Sequence, residues 1–429
     1  MTLRKFACVA LTAAAFAAFT LSSVARSEAQ TESVLHSFNG ADGANPSASL
    51  LFDSAGSLYG TAQAGGSLSD CGGLGCGVVF KLTRVGASSW GETVIHQFRG
   101  GRDGANPQSG LVQDAAGNLY GTTQNGGGPC TFSASLTCGV VFKLSPTTGG
   151  VWRETVLHVF TGGLDGGNPS GGVILDAAGN LFGVTHDGGS APSCSSNGTT
   201  GCGVVYKLSP LAGGGWRESV LYSFFDAGDG AYPGGSLILD ASGNLYGGST
   251  PNMGSGGPGG IFELSPSPSL PWTFTLLHFF TDNPDGAAPN GSLVFDSAGN
   301  LYGTTWQGGI GVGVVFELSK VGSSWSESVI FTFNGTTQGS VPLAGVIFDS
   351  AGNLYGTASL GGANGNGLVY KLSPSSSTWT QTILHSFTGA PTDGQNPLSG
   401  LIFDAAGNLY GTTNRGGASN NGTIYEITP

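Results

Sequence analysis

Apolar residues in this chain gather in short runs bounded by Gly, Asp, Asn and Pro, and helical spacing is absent after residue 29. Such runs predict β-strands. Segments such as Leu237-Ile-Leu239 and Val314-Val-Phe316 are continuous where a sheet wetted on one side would alternate, so both faces of these strands are expected to be buried.

The runs follow one order. In the last copy Gly400-Leu-Ile-Phe-Asp404 (strand a) leads into Asn408-Leu-Tyr-Gly-Thr-Thr413 (strand b), then Gly422-Thr-Ile-Tyr-Glu-Ile-Thr428 (strand c). A fourth run, strand d, recurs between copies, as in Glu92-Thr-Val-Ile-His-Gln-Phe98 and Thr382-Ile-Leu-His-Ser-Phe387. The a-to-b phrase (Asp, two small residues, Gly, Asn or Ser, Leu, an aromatic, Gly) starts at Asp53, Asp114, Asp176, Asp240, Asp296, Asp349 and Asp404, at intervals of 61, 62, 64, 56, 53 and 55 residues. That period suits one four-stranded unit per copy.

A lone d strand, Ser33-Val-Leu-His-Ser-Phe38, precedes the first copy, and the last copy reaches only strand c. The N-terminal strand would therefore complete the last unit, which a closed ring uses to pair its open edges. The expected fold is all-β, a seven-bladed β-propeller with four strands per blade. A β-helix or two separate β domains are the alternatives, and a solenoid would need polar caps instead.

Composition agrees with a packed ring. With 39% hydrophobic residues and 24 Phe, the chain can fill the spaces between blades, and the 78 glycines, at fixed points of the repeat, read as turn residues. Residues 1–29 read as a secretory signal peptide: Arg4 and Lys5, an apolar stretch from Phe6 to Leu21, and small-residue sites ending at Ala25 or Ala29. Residues 30–429 then form a single propeller domain, secreted or periplasmic, without a membrane span and expected as a monomer. The formal charge of −12 argues against nucleic acid and anionic membranes as partners.

Six cysteines fall between strands b and c of three successive copies: Cys71 and Cys76, Cys130 and Cys138, Cys194 and Cys202. Zinc would want Cys-x-x-Cys spacing, which is absent, and the only nearby imidazole is His186. Exported context favours three local disulfides. These loops are also the long ones, 11, 12 and 14 residues from Gly66, Gly127 and Gly189 to strand c against 4 or 5 from Gly309, Gly362 and Gly417.

The Asp-x-Ala-Gly-Asn-Leu-Tyr-Gly-Thr-Thr phrase, the Gly-Gly pair, Gly-Val-Val-Phe-Lys-Leu-Ser and the Trp-x-Glu before strand d resemble the bacterial choice-of-anchor tandem-repeat proteins of GloVer type, over nearly the whole chain after the leader. The resemblance implies an exported repeat protein and, in some relatives, a C-terminal anchor. The Asp turn also resembles NHL propeller repeats, over one hairpin.

Most repeated residues have structural readings. The Asp turn would join a to b, with calcium as the ligand-binding alternative. Trp90, Trp152, Trp216, Trp272, Trp325 and Trp379 would cover the blade edge. The strand-d residues His36, His96, His158, His278 and His385 align with Tyr222 and Phe331, so they read as packing residues. In the Asp-Gly-x-Asn-Pro loop from d to the next a, Asp42, Asp103, Asp165, Asp229, Asp285 and Asp393 would cap a turn or, alternatively, hold a cation or polyol, while Gln338 replaces Asp once.

Departures from the repeat are the functional clues. His186 and Asp187, Trp306 and Gln307, and Arg415 follow strand b where other copies differ, and Tyr232 replaces the Asn of Asp-Gly-x-Asn-Pro. Because strands alternate direction, b-to-c and d-to-a loops share one face, where these six residues form a candidate ligand site. No Gly-x-Ser-x-Gly, His-Glu-x-x-His, phosphate loop or dinucleotide fingerprint occurs. The leading expectation is a binding module for an extracellular glycan or protein, with no cofactor other than a structural calcium and no catalytic residue assigned. A lyase, lactonase or glycoside hydrolase using His186 as base, or Asp187 with Asp229, is the enzyme alternative. A structural envelope protein is the third.

Overall fold

The computed structural model describes residues 30–428 apart from 87–88, 132, 192–193, 197–198, 226–227, 251–257, 323 and 377. The expected signal peptide lies outside the described residues. Seven antiparallel four-stranded blades form a ring, a seven-bladed β-propeller. In order a to d, blade 1 uses Leu51–Phe52, Leu58–Ala62, Val78–Arg84 and Trp90–Gln97, and blade 2 Val112–Gln113, Leu119–Thr123, Val140–Pro146 and Trp152–Val159. Blade 3 uses Ile174–Leu175, Leu181–Asp187, Val204–Pro210 and Trp216–Ser223, and blade 4 Ala231–Leu239, Leu245–Thr250, Gly260–Ser265 and Thr273–Phe279. Blade 5 uses Val294–Phe295, Leu301–Gln307, Val314–Val321 and Ser324–Thr332, and blade 6 Ile347–Phe348, Leu354–Ala358, Leu368–Pro374 and Trp379–Ser386. Blade 7 combines Ile402–Phe403, Leu409–Thr413 and Thr423–Thr428 with Thr31–Ser37, whose register runs from Thr31 opposite Thr428 to Ser37 opposite Thr423. The N-terminal strand closes the ring.

The core lies between blades rather than within them. Seven apolar clusters each join two neighbouring blades, including blades 7 and 1, where Tyr410 and Ile424 pack with Phe38, Leu58 and Phe80. Strand c is buried on both faces, as its unbroken apolar run predicts. Its ring residue explains one repeated glycine: a Cβ at Gly121 would stand 2.7 Å from the tip of Phe142. The glycine in strand b is therefore a packing residue, which corrects its reading as a turn residue. The tryptophans differ from expectation too, since Trp152 meets Tyr59 and Trp216 meets Tyr120, each across a junction, at 5.9 and 6.2 Å. They fill the seam between blades.

Hydroxyls tie the inner strands together. Thr61, Thr122, Thr304, Thr357 and Thr412 of strand b donate to carbonyls of the next blade's inner segment, at 2.8–3.3 Å. At the other end, the Asp turn consumes its own polar atoms. Asp114 Oδ1 accepts the backbone N–H groups of Ala116 and Asn118, and Oδ2 accepts Asn118 Nδ2 and the Tyr120 hydroxyl. These bonds account for the motif's residue types. Three disulfides link Cys71 to Cys76, Cys130 to Cys138 and Cys194 to Cys202, with Cα separations of 5.3, 5.4 and 5.1 Å, as the local pairing predicts.

Candidate functional site

The d-to-a loops are built around their aspartates. Asp165, Asp285 and Asp393 accept the backbone N–H of Thr161, Thr281 and Thr388, the turn cap expected for this motif. Their other contact was missed in the sequence. His36, His278 and His385 share hydrogen bonds through Nε2 with Asp42, Asp285 and Asp393 at 3.1–3.2 Å, and the Tyr222 hydroxyl donates to Asp229 at 2.8 Å. The strand-d histidines do pack, edge-on against the Phe two residues later. His36, His278 and His385 are each also one half of a polar pair, which corrects their reading as packing residues alone. The signal was available: the copy that replaces His by Phe331 also replaces Asp by Gln338.

A third residue joins from the neighbouring blade. Glu92 approaches His36 and Asp42, Glu327 approaches His278 and Asp285, and Glu32 approaches His385 and Asp393, each trio holding its ligand-type atoms within 4.8 Å of one another. Burial pushes the carboxyls of Glu32, Glu92, Glu154, Glu218 and Glu327 up to about 7, and an aspartate across each junction adds to the rise.

The residues singled out as departures divide into two groups. Strand b of blade 3 ends in His186 and Asp187, and strand a of blade 4 opens beside them with Tyr232. His186 stacks on Tyr232, ring centroids 4.4 Å apart and planes 12° from parallel, while Nδ1 meets Asp187 Oδ1 at 2.9 Å. The imidazole is 41% exposed and the carboxylate 6%. A buried acid thus fixes an accessible ring, leaving Nε2 as its other polar atom.

The stack has a backbone cause. The position held by Tyr232 requires a left-handed conformation, φ 47°, and in four other blades it is Asn45, Asn106, Asn168 and Asn396, a residue that tolerates it. There the Asn45, Asn168 and Asn396 amides donate to the carbonyls of Asn414, Gln124 and Ser359 in the preceding blade. Tyr232 replaces that tie by lying against the side chain of the equivalent residue, His186. Trp306 and Gln307 end strand b of blade 5, half-buried and exposed respectively, and Arg415 is exposed beyond strand b of blade 7. They share the face but occupy other blades.

At the centre, the inner segments of all seven blades enclose a cavity of about 280 Å³ lined by small residues, serines and amides such as Ser47, Gln108, Ser170 and Asn290. The strands approach closely: a Cβ at Gly171 would collide with the Gly235 carbonyl oxygen. No titratable side chain is among the residues lining it. His186 and Tyr232 do not line this cavity, but the Ser170 hydroxyl of its wall donates to the carbonyl of Pro233, next to Tyr232, at 2.6 Å.

The profile of the Gloeobacter/Verrucomicrobia repeat matches residues 18–195, 193–326 and 310–429. The chain belongs to that family. No curated protein matches it. Among solved structures, a putative 6-phosphogluconolactonase from Bacteroides uniformis is similar at 13% identity and TM-score 0.50, covering 78% of this chain and 84% of that one. A protein of unknown function from Dyadobacter fermentans aligns at 12% identity and TM-score 0.47 over 93% and 98%. A gluconolactonase from Xanthomonas campestris aligns at 16% and 0.39 over 73% and 90%. At these identities the likeness is one of fold. No helix among the described residues is long and apolar enough to cross a membrane.

Proposed function

We propose that this protein is an exported binding module that takes an extracellular glycan on the face carrying the d-to-a and b-to-c loops. The observation that carries this reading is the His186–Tyr232 stack, anchored by Asp187 and linked by the Ser170–Pro233 hydrogen bond to a cavity whose lining supplies hydroxyls, amides and backbone groups but no titratable side chain. Sugar hydroxyls are satisfied by such neutral donors and acceptors. Tyr232 is itself buried, and the accessible imidazole that it backs presents the ring surface that suits the apolar face of a pyranose. Exposed Gln307 and Arg415 with half-buried Trp306 extend the same chemistry around the face, as contacts for further sugar units. A glycan array probed with wild type, His186→Ala and Trp306→Ala tests it. A hit weakened at least tenfold by His186→Ala, with the melting temperature held, supports the assignment, and the absence of any hit removes it.

One observation favours an enzyme as the second reading. An exposed imidazole whose Nδ1 is held by a buried carboxylate has the arrangement of an oriented general base. Hydrolysis of lactones or glycosides that disappears in His186→Ala would favour catalysis over binding.

A further inference from the structure

The trios at the blade junctions are unlike any other feature of the repeat, because their three members come from two blades and change together. Five junctions carry His, Asp and Glu: His36, Asp42 and Glu92 between blades 7 and 1, for example, and His278, Asp285 and Glu327 between blades 4 and 5. Between blades 5 and 6 all three are replaced, by Phe331, Gln338 and Gln381, and the Gln381 amide donates to the Gln338 carbonyl at 2.9 Å. Between blades 3 and 4 the His and Glu positions are both aromatic, Tyr222 and Phe274 stacking at 4.6 Å, and only Asp229 stays. No junction keeps the Glu without the His.

A hydrogen-bonded His–Asp pair alone explains half of this. It leaves the Glu unaccounted for. Glu32, Glu92, Glu154, Glu218 and Glu327 each have a buried Oε1 with no hydrogen-bond partner among the described residues, and at the junction of Glu154 the imidazole Nε2 of His96 has none either, while His158 Nε2 lies 3.4 Å from Asp165 Oδ2. An unmet buried carboxylate oxygen costs free energy once, and this chain repeats the arrangement five times.

We propose that the junction trios are binding sites for a divalent transition ion of the zinc class, three of them formed tightly: His36–Asp42–Glu92, His278–Asp285–Glu327 and His385–Asp393–Glu32. One imidazole and two carboxylates are the donor set such an ion accepts with an open position, whereas calcium and magnesium prefer oxygen alone. An ion about 2.1 Å from each donor in tetrahedral geometry sets the ligand atoms about 3.4 Å apart. The ligand-type atoms of each trio lie within 4.8 Å of one another, so an inward shift of the Glu closes the site. A doubly charged ion also balances the two carboxylates against neutral imidazole. Because each site draws its Glu from the next blade, the ion would rivet neighbouring blades. From the sequence these aspartates read as turn caps, with a cation or polyol only as the alternative, and no residue is assigned as a metal ligand.

The chain supplies its own control in the junction of Phe331, Gln338 and Gln381, which the ring tolerates without the trio. Untagged, disulfide-bonded protein stripped with chelator would be dialysed against micromolar Zn²⁺ and its metal content measured, with Co²⁺ absorption reporting nitrogen and oxygen ligation. Wild type should retain about three equivalents, one for each tight trio. The variant His278→Phe/Asp285→Gln/Glu327→Gln should retain one fewer, and Glu32→Gln/Glu92→Gln/Glu327→Gln should lose nearly all. Zn²⁺ should raise the melting temperature of wild type but not of the second variant. If the first variant fails to fold, the near-isosteric Glu327→Gln and Glu92→Gln changes give the same comparison. Less than one equivalent in wild type, or equal metal content in wild type and variants, overturns the proposal.

Discussion

The two ends of the ring obey different rules. At the end formed by the a-to-b turns, the Asp phrase recurs in all seven blades, and in blade after blade its carboxylate is saturated by the same donors, as with Asp114, Asp176, Asp296 and Asp349. At the opposite end, one backbone position is held at φ near 55°, yet it carries Asn in four blades and Tyr232, Ala288 and Val341 in the others. The turn depends on its side chain, so drift there costs a hydrogen-bonded hairpin. At the other end Tyr232 and Val341 still donate their backbone N–H across the junction, to Cys202 and Val312, so the side chain is free to change.

The largest perturbation breaks both ends at once. Deleting residues 31–38 removes strand d of blade 7, opens the edge of Thr423–Thr428 and takes fully buried Phe38 out of the junction between blades 7 and 1. The protein should fail to give a cooperative thermal transition, and a deletion variant melting within a few degrees of wild type would contradict ring closure. A glycine pair gives the next effect. Gly121→Ala drives a methyl into Phe142 and should cost about 1–3 kcal/mol. Gly128→Ala, on the loop face with nothing within 4 Å, should stay within about 0.5 kcal/mol by urea denaturation.

The Asp turn adds a pH signature. Burial pushes the Asp114 carboxyl up, but hydrogen bonds from Asn118, Tyr120 and Ala116 outweigh it and leave the group below its usual value. A depressed folded value means that the contribution is complete above the unfolded range, near pH 4, and is lost as pH falls through the folded value. Asp114→Asn should therefore destabilise by about 1–2 kcal/mol at neutral pH. The gap to wild type should narrow only below about pH 4. A gap that is constant from pH 7 to pH 3 would show that the charge of Asp114 is irrelevant to the turn.

The ring was legible in the sequence because its turns and core residues repeat, so a local pattern such as Asp404 to Thr413 declares itself seven times. The three local disulfides were legible for the same reason. What was missed requires knowing which blades touch. Glu92 stands 50 residues from Asp42, and only ring geometry brings them together. Gly121 looks like every other glycine until Phe142 is placed opposite it. Of the six residues proposed for the ligand site, His186, Asp187 and Tyr232 meet, because a d-to-a loop of one blade abuts strand b of the blade before it, while Trp306, Gln307 and Arg415 belong to other blades of the same face.

The last change tests stability and function at one residue. Tyr232→Asn restores the residue that four other blades use at the left-handed position, and the new amide could donate to the His186 carbonyl as Asn168 donates to that of Gln124. Asn tolerates φ near 55° better than an aromatic residue does. Against this stands the loss of the His186 stack and of the apolar burial of a ring only 4% exposed in the core between blades 3 and 4. The lost packing outweighs the backbone gain, and stability by urea denaturation should fall by about 2–4 kcal/mol, with an unchanged m value. Ligand binding should suffer as well, since His186 loses the ring that holds its plane. A variant that binds as wild type does would place the ligand elsewhere on the face. One that keeps wild-type stability would show that the burial of Tyr232 contributes nothing to the fold, and the residue would then answer to the ligand alone.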